Sequence, residues 1–184
     1  MGYSLSWAAV KSTPEAVQSA LGLRATGQRE EFPESRIVAT SLPNGWYIVI
    51  YNKCEAARKA LEPLSRLGEV IYCSVEEHVM VSAAATWNSG KRLWFVEHDA
   101  QQGIYNLQVA GQPPDAFGVI RDREKGKQDA EGGENADVDY MFDIPVELAR
   151  ELTGFRHDQN VPGIEGDAYE VLEAAKQSKR WGLF

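Results

Sequence analysis

Apolar and polar positions along the chain change period several times, and these changes predict its elements. YSLSWAAV (3–10), RIVATSL (36–42), WYIVIY (46–51) and EVIYCSV (69–75) read as strands, rich in β-branched and aromatic residues. Between the first two lies STPEAVQSALGL (12–23), with Ser12 or Thr13 as helix cap, Pro14 in the first turn and Gly22 near the end. The Asn44-Gly45 pair between the second and third strands is a hairpin signal. In CEAARKALEPLSRL (54–67) the positions Ala57, Leu61, Leu64 and Leu67 share one helical face, and Pro63 kinks or shortens that helix. The resulting β-α-β-β-α-β order is that of a ferredoxin-like unit.

Three more alternating stretches extend it as a meander: HVMVSAAATW (78–87), RLWFVEHD (92–99) after Asn88-Ser89-Gly90, and GIYNLQVAG (103–111). Helical periods follow in PDAFGVIRDREKGK (114–127) and IPVELARELTG (144–154), the second with Asp143 as its cap and Gly154 as its stop. A third helix is predicted over DAYEVLEAAKQSKR (167–180), where Asp167 and Glu170 have capping-box spacing. The fold class expected is α+β: a mixed, mainly antiparallel sheet that starts as the ferredoxin-like unit, with the C-terminal helices packed on one face. At 184 residues, and without a linker, the chain reads as a single domain over 1–184.

The composition, 43% hydrophobic and 25% charged, is that of a globular protein and excludes fibrous and disordered classes. MGYSLSWAAV lacks the basic and apolar segments of a signal peptide, and its Met1-Gly2 with Ser6 reads better as strand than as a myristoylation pattern. The expectation is a cytoplasmic protein without a membrane span. Two cysteines, Cys54 and Cys73, fit a reducing compartment and read as core residues.

Charge changes the picture more. Residues 1–128 hold 14 acids and 14 bases, whereas 129–170 hold 12 acids against only Arg150 and Arg156. The glycines of QDAEGGENADVD (128–139) place much of that acidity in an exposed loop. Such a field repels phosphate backbones, which disfavours nucleic acid, and attracts a basic partner. The candidate partner-binding residues are therefore Asp129, Glu131, Glu134, Asp137, Asp139, Asp143, Glu147, Glu151 and Asp158.

All three histidines adjoin acids: His78 follows two glutamates, His98 lies in Glu-His-Asp, and His157 in Arg-His-Asp. His98, His157 and Asp158 form the alternative, catalytic reading, with histidine as base or metal ligand and a carboxylate to orient it. Alternation on the 92–99 strand puts Trp94, Val96 and His98 on one side and Leu93, Phe95 and Glu97 on the other. A zinc site from three histidines scattered over about 80 residues matches no compact ligand spacing, and no metal or cofactor is expected. Gly22–Gly27 nearly forms a phosphate loop, but Gln28-Arg29 stand where Lys-Ser/Thr would be needed. Five tryptophans, Trp87 and Trp94 among them, mark either a binding surface or core. A ligand-binding regulatory module on the ferredoxin-like half is the third functional class.

The stretches TWNSGKRLWFVEHD (86–99) and FDIPVELARELTGFRHD (142–158) resemble a group of small bacterial proteins to which no activity is assigned. Less specifically, the chain resembles the immunity proteins of contact-dependent growth inhibition and related polymorphic toxin systems. That resemblance implies a non-catalytic, acidic, cytoplasmic protein that binds a cognate toxin domain, commonly a basic nuclease, and blocks its active site. It carries no residue's role with it.

Overall fold

The computed structural model describes residues 2–175. Its elements in chain order are β1 (Ser4–Val10), α1 (Pro14–Leu21), β2 (Leu23–Glu30), β3 (Ile37–Ser41), β4 (Tyr47–Tyr51), α2 (Arg58–Ser65) and β5 (Val70–Glu76). Then come β6 (Val81–Asn88), β7 (Lys91–Asp99), β8 (Leu107–Gly111), α3 (Ala116–Ala130), α4 (Asp143–Thr153) and β9 (Tyr169–Ala174). The fold is α+β, as expected, with all nine strands in one antiparallel sheet of order β2-β9-β3-β4-β1-β5-β6-β7-β8. No helix among the described residues is long and apolar enough to cross a membrane.

Local signals act where the sequence places them. Thr13 caps α1 by accepting from the Ala16 N–H at 3.3 Å, and Gly22 ends that helix at φ 62°. Gly45, at φ 90°, turns the β3–β4 hairpin. With Pro63 inside it, α2 spans only Arg58–Ser65.

Each central strand splits its residues between two cores. Leu5, Trp7 and Ala9 of β1, Ile48 and Ile50 of β4, and Ile71, Cys73 and Val75 of β5 face α3 and α4. Ala8 and Val10, Val49 and Tyr51, and Val70 and Tyr72 face α1 and α2. Strands covered on both sides read as nearly continuous apolar runs, as WYIVIY does. Trp94 is buried and Trp87 partly so, both as packing residues. Cys73 is buried in the core, whereas Cys54 is half-buried in the turn before α2, where burial pushes its thiol up to about 11.

Four expectations need correction. β2 interrupts the β-α-β-β-α-β succession after α1; its polar sequence LRATGQRE lacks the alternation that marks a strand, and its register shifts across Gly27, at φ 83°. The segment around Tyr169–Ala174 is not helical: it fills the slot between β2 and β3, with Tyr169 and Val171 on the α4 side and Leu172 on the other. Two flanking strands supply its backbone partners, which overrides the helix propensity of its Glu, Leu and Ala. The rest of that predicted helix, from residue 176, lies outside the described residues.

The acidic segment is only partly loop, since α3 continues to Ala130. Gln128 is buried, donating to the Gly133 carbonyl and accepting from the Tyr140 N–H, both at 2.8 Å. Finally, Asp143 does not cap α4. Asp139 accepts from the Phe142 N–H at 3.1 Å, and Asp143 serves elsewhere.

Candidate functional site

The Arg-His-Asp cluster is delivered by the end of α4. Ile144 and Leu148 anchor that helix in the core, and Gly154 stops it at φ 80°, its N–H donating to the Arg150 carbonyl at 2.7 Å. Phe155 turns inward, fully buried, and packs edge-on against Trp7 with centroids 5.3 Å apart. A Cβ at position 154 would meet Asn44 Nδ2 at 3.3 Å, on a side chain that donates to the Thr153 carbonyl. Gly154→Ala is therefore expected to cost about 1–2 kcal/mol from the left-handed backbone alone, read as a lower urea midpoint at unchanged slope.

Past this turn, successive side chains diverge. Arg156 reaches back over α4, donating to Asp143 at 2.8 Å, Glu147 at 2.5 Å and Asp158 at 2.7 Å. Burial pulls the Glu147 and Asp158 carboxyls up, but the hydrogen bonds and charge of Arg156 outweigh it and hold both below the usual range. At Asp143 burial wins instead, and its carboxyl is raised.

His157 points the other way. Its side chain is 2% exposed, and neither ring nitrogen has a hydrogen-bond partner among the described residues. Tyr3 packs on the ring edge-to-face at 5.0 Å, and a Glu77 carboxylate oxygen stands 3.8 Å from Nε2, beyond hydrogen-bonding reach. The ring lines a cavity of about 630 Å³ between the start of β1, the β2–β3 connection and the 158–169 segment.

Burial holds His157 below its ordinary pKa of 6.5; Arg156 pushes the same way, and Asp158 and Glu77 oppose. With the folded value below the unfolded one, the stability this ring contributes is complete above about pH 6.5 and is lost as pH falls toward the folded value. Urea midpoints should therefore fall between pH 7.5 and 5, and His157→Gln should flatten that slope. An unchanged slope in the variant would refute the assignment.

His98 serves packing. It is fully buried on β7, on the same side as Trp94 and Val96 as the alternation predicts, with Nδ1 2.7 Å from the Asn106 carbonyl and Nε2 2.9 Å from Asp139. It is not brought together with His157 and Asp158. His157 sits against Tyr3 at the start of β1, and β7 lies three strands away, about 14 Å at ordinary strand spacing. The set His98, His157 and Asp158 therefore does not form one centre. His78 is exposed, 2.7 Å from Glu76. Among the described residues, no group of three or more His, Cys, Asp or Glu is placed to hold a metal ion.

The nine candidate acids fall into two groups. Asp139 is bonded to His98, and Asp143, Glu147 and Asp158 surround Arg156. Asp129 is exposed but tied to Lys125 at 2.9 Å and to the Tyr105 hydroxyl. Glu131, Glu134, Asp137 and Glu151 are exposed and have no ion-pair partner among the described residues. Between Asp137 and Asp139 stands Val138, 53% exposed. Sequence spacing does not reveal this partition, because the cations that neutralise the inner acids arrive from other turns of the chain. No family model, curated protein or solved structure matches the chain, so its site is read from this geometry.

Proposed function

We propose that the protein is an acidic binding protein of the immunity kind, whose partner is a basic, nuclease-like toxin domain that it neutralises by covering the active site. The carrying observation is that Glu131, Glu134 and Asp137 stand exposed and without ion-pair partners among the described residues, in the same segment as the exposed Val138. An apolar contact rimmed by unneutralised carboxylates suits a cationic protein surface: the valine gives buried area, and the charges speed encounter and exclude acidic competitors. Asp139, Asp143, Glu147 and Asp158 contribute less to this surface, because Asp139 is bonded to the buried His98 and the other three share the Arg156 guanidinium. The resemblance to immunity proteins supports a toxin domain as the partner.

The test compares capture by the whole chain with capture by Glu131→Gln/Glu134→Gln/Asp137→Asn/Glu151→Gln. A basic protein should be retained by the first in 50 mM salt, released as salt is raised past the range where screening becomes strong, and lost from the second. Retention of the same protein by both, at all salt concentrations, would exclude this surface.

A further inference from the structure

We propose that the cavity beside His157 is a binding site for a small organic cation with an aromatic-sized apolar body. It is distinct from the acidic surface, since no residue of 129–151 lines it. At about 630 Å³ it falls in the range of pockets that enclose drug-sized ligands, about 300–1,000 Å³.

Its floor is apolar and buried: Leu5 from β1, Val161 and Ala168 from the connection after α4, and Tyr169 from β9. Into this floor is set the ring of His157, whose two nitrogens are closed to solvent, Nε2 lying 3.8 Å from Glu77, outside the cavity lining. The ring therefore meets the cavity with its carbon edge, an apolar surface that suits the flat body of an aromatic ligand.

The rim defines the ligand's charge. Glu31, Glu34 and Glu165 are exposed there, Asp158 joins them with its charge shared by Arg156, and no lysine or arginine is among the lining residues. An anion would meet only repulsion at this mouth. Phe32, 59% exposed, and Tyr3, 41% exposed, stand at the same entrance. Exposed aromatic faces among carboxylates are the arrangement that attracts an ammonium group carrying an apolar substituent.

The experiment titrates the full chain with three probes of one shape and different charge: tryptamine (cation), tryptophol (neutral) and indole-3-propionate (anion). Tryptamine should bind saturably at sub-millimolar concentration, raise the melting temperature and shift the His157 ring resonances, with tryptophol weaker and the propionate silent. In Glu31→Gln/Glu34→Gln/Glu165→Gln, whose changes are all on the exposed rim, tryptamine should bind about tenfold more weakly while the melting temperature without ligand stays the same. His157→Gln should weaken tryptamine and tryptophol alike; if that variant does not fold, the rim variant still decides the question. Binding indifferent to the probe's charge, no binding of any probe at millimolar concentration, or full tryptamine affinity in the rim variant would overturn the proposal.

Discussion

His98→Ala is expected to destabilise the protein by about 4 kcal/mol at pH 7, measured by urea denaturation. The ring is fully buried, and the Asp139 side chain it meets is 8% exposed. Removing the imidazole strands a carboxylate and the Asn106 carbonyl, and it opens a cavity beneath β7. Breaking one partner of a buried pair costs more than the pair contributes, because the remaining charge keeps its desolvation penalty. The double replacement His98→Ala/Asp139→Ala should therefore cost less than the sum of its parts by about 1 kcal/mol or more. Strict additivity would mean that the two side chains are not coupled. The same experiment separates packing from chemistry, since Asp139 belongs to the acidic stretch by sequence and to the core by position.

Arg156→Met should cost about 3 kcal/mol at pH 7, because one guanidinium holds Asp143, Glu147 and Asp158 together and is itself only 15% exposed in its side chain. Methionine keeps the apolar stem and removes the fork, so three neighbouring carboxylates face one another around an apolar side chain. Of these three carboxylates, Arg150 and Arg123 reach only Glu147, at 3.4 and 3.3 Å, and neither replaces the lost contacts to Asp143 and Asp158. Arg156→Lys should recover part of the loss, since charge returns without the planar geometry.

The pH dependence has a definite sign. Glu147 and Asp158 have folded pKa values below their ordinary 4.5 and 3.8, so their stabilisation is present above those values and lost as pH falls through the folded ones. The gap between the parent protein and Arg156→Met should accordingly narrow as pH drops below about 4.5. A gap that stays constant to pH 3 would show that Arg156 contributes through packing alone.

What the sequence made legible was whatever local chemistry determines. The Thr13 cap, the Asn44-Gly45 turn, the Gly154 stop and the apolar or alternating strands from β3 to β7 all appear where their residues predict. The failures were tertiary. β2 is a strand because β9 pairs along it, and its own residues carry no such pattern. β9 carries helix-favouring Glu, Leu and Ala and becomes a strand because β2 and β3 leave a slot that only an extended chain can fill.

The site was legible in the same partial way. His157 and Asp158 were visible as a pair, but nothing in Arg-His-Asp says that Arg156 turns outward onto α4 while His157 turns in toward Tyr3. The cavity itself joins residues 3, 32, 157 and 169, a closure no spacing encodes. Nor does a run of acids reveal which members are neutralised. The buried His98 comes from β7, 41 positions before the Asp139 it holds.

The most direct test of the proposed function is the association rate of the captured basic partner with the whole chain and with Glu131→Gln/Glu134→Gln/Asp137→Asn/Glu151→Gln, followed against ionic strength by stopped flow. If these carboxylates form the recognition surface, the rate for the parent chain falls steeply with salt, and the variant starts about tenfold slower with a shallow salt dependence. Identical rates and identical salt slopes for the two proteins would contradict it.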